Sequence, residues 1–86
     1  MKPFSLTISS PDGAIFSGNV TCISLRGSEG DLAVMAGHTP FVTSVVPCEC
    51  KVTLEDDTEK TGKTDGGILT VSSETVVFLS GSFTWL

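Results

Sequence analysis

One histidine, His38, and three cysteines, Cys22, Cys48 and Cys50, are the residues of this chain best suited to nucleophilic or metal chemistry. A thiol beside His38 would have a base to activate it, and the four side chains together would make a soft metal-ligand set. The spacing argues against both. Cys48 and Cys50 are two apart, on one face if their segment is a strand, and Cys22 and His38 stand in no zinc-like spacing to them. An odd number of cysteines argues against a closed disulfide framework, so the three read as buried, reduced thiols, with no metal and no cofactor. Serines and aspartates are numerous, but none is marked by the strand-elbow-helix that activates a serine. Gly62-Lys63-Thr64 has the closing letters of a phosphate loop, but Asp57 and Thr58 occupy the neighbourhood where the earlier glycine is required. No catalytic residue is assigned.

Two loops remain as specialised segments. In Gly27-Ser28-Glu29-Gly30-Asp31 the glycines permit positive φ while Glu29 and Asp31 project charge, too acidic an arrangement to cradle a phosphate. In Gly37-His38-Thr39-Pro40 the histidine either faces a partner or caps backbone groups. The plain alternative for the first loop is an acidic hairpin turn. Ten acidic against five basic residues give a net charge of −5, and the bases are scattered. A nucleic-acid binder needs a basic face to neutralise phosphates, so nucleic acid is excluded as a partner. No apolar run approaches the ~20 residues of a spanning helix, and the opening Met1-Lys2-Pro3-Phe4-Ser5 lacks the apolar stretch of a signal peptide. The reading is a cytoplasmic protein without direct membrane insertion.

The elements that position these loops are strands. Phe4, Leu6 and Ile8 alternate with polar residues before the turn Pro11-Asp12-Gly13. Ala14 to Phe16 resumes an apolar run ahead of Gly18-Asn19, and Val20 to Leu25 follows. There the apolar phase shifts from Val20 and Cys22 to Ile23 and Leu25, which predicts a bulge near Cys22. Leu32, Val34 and Ala36 share one face, and Phe41 to Val46 is strand-like. Cys48, Cys50, Val52 and Leu54 alternate with Glu49, Lys51, Thr53 and Glu55 up to a turn at Asp56-Asp57-Thr58. Glu59 to Asp65 is polar throughout and reads equally as an edge strand or a loop. Ile68 to Val71 and Thr75 to Leu79 complete the set, and Trp85 either packs back on the domain or meets a partner. With no helical period and breaks roughly every 8–12 residues, the pattern predicts one all-β domain over residues 1–86. It should be a small β-sandwich of about eight to ten short, mainly antiparallel strands.

The stretch from Gly27 to Thr43, with Gly-Ser-Glu-Gly-Asp, an apolar strand and Gly37-His38-Thr39-Pro40-Phe41-Val42, resembles the F-type ATP synthase epsilon subunit family. That family typically reads Gly-x-Glu-Gly-acid, an apolar strand, then Pro-Gly-His-x-Pro and two apolar residues. Pro11-Asp12-Gly13-Ala14-Ile15-Phe16-Ser17-Gly18 is similar to the family's early hairpin. Gly66-Gly67-Ile68-Leu69-Thr70-Val71 is similar to its double-glycine strand start. The chain departs from the pattern at Ala36, where Pro is usual, at Cys48, where Gly is usual after Pro47, and in the more polar Thr61 to Asp65.

The resemblance implies the N-terminal β-sandwich domain of a central-stalk rotor subunit without an active site of its own. It would link the gamma subunit to the c-ring, serve the catalytic alpha/beta assembly indirectly, and couple ion translocation to ATP synthesis or hydrolysis. The complex would be bound peripherally at the cytoplasmic face of the membrane. By position, Gly27, Ser28, Glu29, Gly30 and Asp31 would form the c-ring-facing loop, and Ser10, His38 and Thr43 the gamma-facing side. The helical hairpin that follows the sandwich in the family is expected to be absent, since the sequence stops at Leu86. The alternative reading is a free-standing ligand- or protein-binding β-sandwich.

Overall fold

The computed structural model describes residues 2–37 and 39–86. Among the described residues there are nine strands and no helix: β1 (Phe4–Ser10), β2 (Gly13–Gly27), β3 (Gly30–Val34), β4 (Phe41–Val45), β5 (Cys48–Leu54), β6 (Glu59–Thr64), β7 (Gly67–Val71), β8 (Thr75–Ser80) and β9 (Phe83–Trp85). The expected all-β architecture is what forms, and its pairings are antiparallel except for β1 with β8.

β2 organises the molecule because it belongs to two layers. Its first half pairs with β1, and its second half pairs with β5 and β3. One layer therefore runs β4-β7-β8-β1-β2, and the other β3-β2-β5-β6-β9. The chain does not break at Gly18-Asn19. Both residues stay in the β1 ladder, opposite Leu6 and Ser5. The phase shift read near Cys22 is a register shift between Val20 and Cys22, and both Val20 and Thr21 are buried there. An extra residue in one strand bends it and increases its twist, which is how a single strand passes from one layer to the other.

Inward side chains from both layers form one core. Phe4, Leu6 and Ile8 of β1 meet Leu69 and Val71 of β7, Val76 and Phe78 of β8, and Cys50 and Val52 of β5. Period two thus delivered the expected inner face of β5, with Cys48 and Leu54 packed at its margins.

The polar segment left open between edge strand and loop is β6, and it is not an edge. It pairs with β5 on one side and with β9 on the other. Its inner positions are Lys60, Gly62 and Thr64, which carry no apolar period. The ring of Phe83 occupies the space a Gly62 side chain would take, so β9 supplies the apolar cover that β6 lacks. Thr64 and Ser80 are buried polar residues, and their hydroxyls pair at 2.6 Å. Gly66 N–H donates to Thr64 Oγ1, and Ser80 Oγ–H donates to the Ser82 carbonyl, so both hydroxyls are satisfied.

β9 then closes one seam between the layers. Phe83 meets Phe78 edge-on at 6.4 Å between centroids, and Trp85 meets Phe16 at 6.1 Å. Lys60 Nζ lies 4.3 Å from the Trp85 ring centroid. Trp85 therefore packs back on the domain.

Candidate functional site

The acidic loop is the β2–β3 hairpin. Gly27 and Gly30 face each other in register, so Ser28 and Glu29 alone make the turn. Gly30 has φ 127°, a conformation that favours glycine. Asp31, the next residue of β3, is opposite Arg26, and its Oδ1 accepts from Arg26 Nε at 2.8 Å. The two side chains are 60% and 79% exposed, so solvent screening leaves this pair little weight in stability. Its effect is to hold the Asp31 carboxylate against the hairpin. Glu29 is exposed at the tip and has no ion-pair partner among the described residues. The five loop residues are thus together, but their two carboxylates are not equivalent. Arg26 is the residue that the sequence reading missed. Its place opposite Asp31 follows once the turn is known to be two residues long.

The residues assigned to the second side are spread out. Ser10 ends β1, and its Oγ accepts from Asp12 N–H at 3.3 Å. Thr43 is in the middle of β4 opposite Leu69, half-buried, and donates to the Ser44 carbonyl. Strands β8 and β7 separate β1 from β4, which puts Ser10 and Thr43 ~14 Å or more apart by strand spacing. They flank a surface rather than meeting. Thr43 also lines a groove of about 420 Å³ with Gly27, Glu29, Leu32 and Phe41, between β3 and β4. The His38 assignment falls outside the described residues.

Between the strands that carry them lies the outer face of the first layer, although Thr43, opposite the buried Leu69, turns its side chain to the inner side of β4. Strands β1, β4, β7 and β8 contain no charged residue. Ser9, Leu79, Ile68 and Ser44 follow one another in register across β1, β8, β7 and β4, and Thr7, Val77, Thr70 and Val42 form the next row. Val42 is 66% exposed, Leu79 52% and Ile68 42%. Contiguous apolar exposure of this kind marks interaction surfaces.

The outer face of the second layer differs in kind. Arg26, Asp31, Glu49 and Lys51 surround a shallow groove of about 690 Å³ floored by Ser24, Ala33 and Thr61. Lys51 Nζ reaches Glu59 Oε1 at 3.9 Å.

All three cysteines are free, but of the three read as buried only Cys50 is; Cys22 and Cys48 are half-buried. Cys50 is fully buried, and desolvation followed by the nearby Cys48 pushes its thiol up to about 12. A thiol held neutral in this way is a poor nucleophile. Arg26 N–H donates to Cys48 Sγ at 3.4 Å, and Cys22 Sγ sits 3.8 Å from Ser24 Oγ. No group of three or more His, Cys, Asp or Glu side chains suited to a metal occurs among the described residues, and no helix is long and apolar enough to cross a membrane.

The fold is shared with solved structures, two of which are instructive. One chain of the Euglena gracilis mitochondrial ATP synthase (OSCP/F1/c-ring, rotational state 1) superposes with a TM-score of 0.91 at 25% identity, over 96% of this chain and 53% of that one. One chain of the Tetrahymena thermophila mitochondrial ATP synthase central stalk and c-ring superposes with a TM-score of 0.77 at 14% identity, over 92% of this chain and 63% of that one. This chain therefore spans about half the length of the Euglena chain it matches. The family model for the β-sandwich domain of the ATP synthase delta/epsilon chain matches residues 3–86. With that match running almost from end to end, the chain belongs to the ATP synthase delta/epsilon β-sandwich family.

Proposed function

We propose that this domain is a non-catalytic part of the central stalk of an F-type ATP synthase, linking the gamma subunit to the c-ring and carrying torque between them. One observation carries the reading: a domain matched from residue 3 to 86 to a stalk-subunit family also has one outer face free of charge. That face, with Val42, Ile68, Thr70, Val77 and Leu79, is the gamma-facing side, and Ser10 and Thr43 stand on the strands at its two borders. Apolar, uncharged centres with polar rims suit a lasting protein contact. Among the described residues, the charges around this face stand beyond the strand ends, at Lys2, Asp12, Asp65 and Glu74.

The Ser28-Glu29 turn is the c-ring-facing tip. Glu29 offers the free carboxylate there, while Asp31 is held by Arg26. An acidic tip meeting basic loops sets register and association rate more than affinity. The alpha/beta assembly is served indirectly, through gamma. The domain's place at the membrane is peripheral and comes from the complex, on the side that carries the catalytic head; the cytoplasmic face is the expected one.

The test is a titration of the chain into purified gamma subunit, followed by calorimetry. Saturable binding at a one-to-one ratio is expected. No binding to gamma, alone or within the catalytic assembly, would contradict the proposal.

A further inference from the structure

The two layers are joined by the bend of β2 and also, laterally, at the root of the β2–β3 hairpin. Gly27, the last residue of β2, is bridged to Val45 of β4. On either side of that bridge Ser28 N–H donates to the Ser44 carbonyl and Val46 N–H donates to the Arg26 carbonyl, each at 3.1 Å. Three consecutive residues of the hairpin root are therefore tied to three consecutive residues of β4 and its end. Space at the joint is tight. A Cβ on Gly27 would stand 2.8 Å from Leu32 Cδ2, with the Ser44 carbonyl oxygen and Thr43 Oγ1 at 3.5 Å. Gly27 does not have positive φ, so the absence of a side chain matters here for space and not for backbone conformation.

β5 holds β2 only as far as Ser24, so without the bridge the hairpin would be free to bend over the three residues from there to Gly27. The clamp removes that freedom within one residue of the tip. We infer that the Gly27 root is a mechanical clamp that locks the hairpin tip to β4, with Gly27 and Leu32 as positioning residues for whatever the tip meets. This rests on the proposed function only for the identity of the two ends, gamma on the β4 side and the ring at the tip. The clamp itself is a property of the isolated chain. In the assembled rotor it would give force applied at Glu29 a direct path into the gamma-facing layer, without passing along the bend.

Amide hydrogen exchange read by NMR on the whole chain tests the clamp without any partner. Ser28 and Val46 should be protected like the β1–β8 ladder. Gly27→Val, whose side chain meets Leu32 and then the β4 backbone, should speed exchange at Ser28 and Val46 about tenfold, the equivalent of ~1.4 kcal/mol and within the range of one lost hydrogen bond. The β1–β8 amides should stay unchanged. Gly27→Val with Leu32→Ala, which restores room, should return part of that protection, and it serves if the single variant does not fold. In a reconstituted enzyme Gly27→Val should lower ion pumping per ATP hydrolysed severalfold while gamma binding is kept.

Exchange at Ser28 and Val46 at the unprotected rate in the natural chain would overturn the clamp. So would full coupling in a Gly27→Val enzyme whose clamp amides have opened. Failure of the natural chain to bind gamma would instead count against the proposed function and leave the exchange result standing.

Discussion

The two layers share a core but turn opposite chemistries outward. Outside β4-β7-β8-β1 every side chain is a hydroxyl or an aliphatic group, with Val42, Ile68 and Leu79 well exposed. Outside β3-β2-β5-β6 the chain carries Arg26, Asp31, Glu49, Lys51, Glu59 and Lys63, some of them paired with each other. Solubility asks for charge on any face that stays in water. A layer with none at its centre is expected to be covered, and a layer with self-paired charges to remain wet. That difference supports the proposed gamma contact on the bare face, where position in the sequence had pointed to Ser10, His38 and Thr43.

The largest effect should come from putting charge on the bare face. Ile68→Lys with Leu79→Lys places two ammonium groups in adjacent register positions. Affinity for gamma should fall by ~2 kcal/mol or more, roughly thirtyfold, as for central interface residues. Both side chains are half-exposed and directly opposite each other, so the like-charge pair should lower the melting temperature by a few degrees without unfolding the chain. Unchanged affinity by calorimetry would place gamma elsewhere.

A medium effect is expected beneath the charged face. Cys50 is on the inner side of β5, between the outward Glu49 and Lys51. Its folded-state pKa, about 12, is above the ordinary value of 9.0. The neutral thiol is the form the fold favours. Its contribution to stability is therefore fully present below pH 9.0 and is lost as pH rises from there through about 12. The unfolding midpoint should fall over that range, and Cys50→Ala should show a shallower alkaline slope. Equal slopes would mean that Cys50 is not the group responsible.

The smallest effect should come from rearranging the charged face itself. Glu49→Lys with Lys51→Glu keeps the net charge and alters only exposed positions, so stability should change by no more than ~0.5 kcal/mol. Gamma binding should be unaffected. A large loss of binding would move the contact to this layer.

The sequence carried the fold well wherever a strand had an apolar inner side. β1 and β5 alternate cleanly, and the phase shift at Cys22 announced the bend of β2 because an extra residue swaps which parity faces inward. It failed at β6 for a physical reason. Gly62 and Thr64 fill that strand's inner positions, and the apolar surface over them belongs to Phe83, nineteen or more residues further on. β9 itself, three residues long, is too short for any period. At Gly18-Asn19 turn-like residues sit inside a ladder held from both ends. The acidic hairpin was legible because Gly27 and Gly30 bracket it, whereas the Arg26 pairing required the turn length. The bare face was hidden although each of its strands was visible. Only the order β1-β8-β7-β4 brings their uncharged sides into one surface.

Methyl NMR of the chain with and without purified gamma subunit tests that surface most directly. The account predicts that shifts concentrate on Val42, Ile68, Val77 and Leu79 and fade across the molecule, leaving Ala33 and Thr61 in the charged groove unmoved. Shifts centred on Ala33 and Thr61, with Ile68 and Leu79 unchanged, would contradict it.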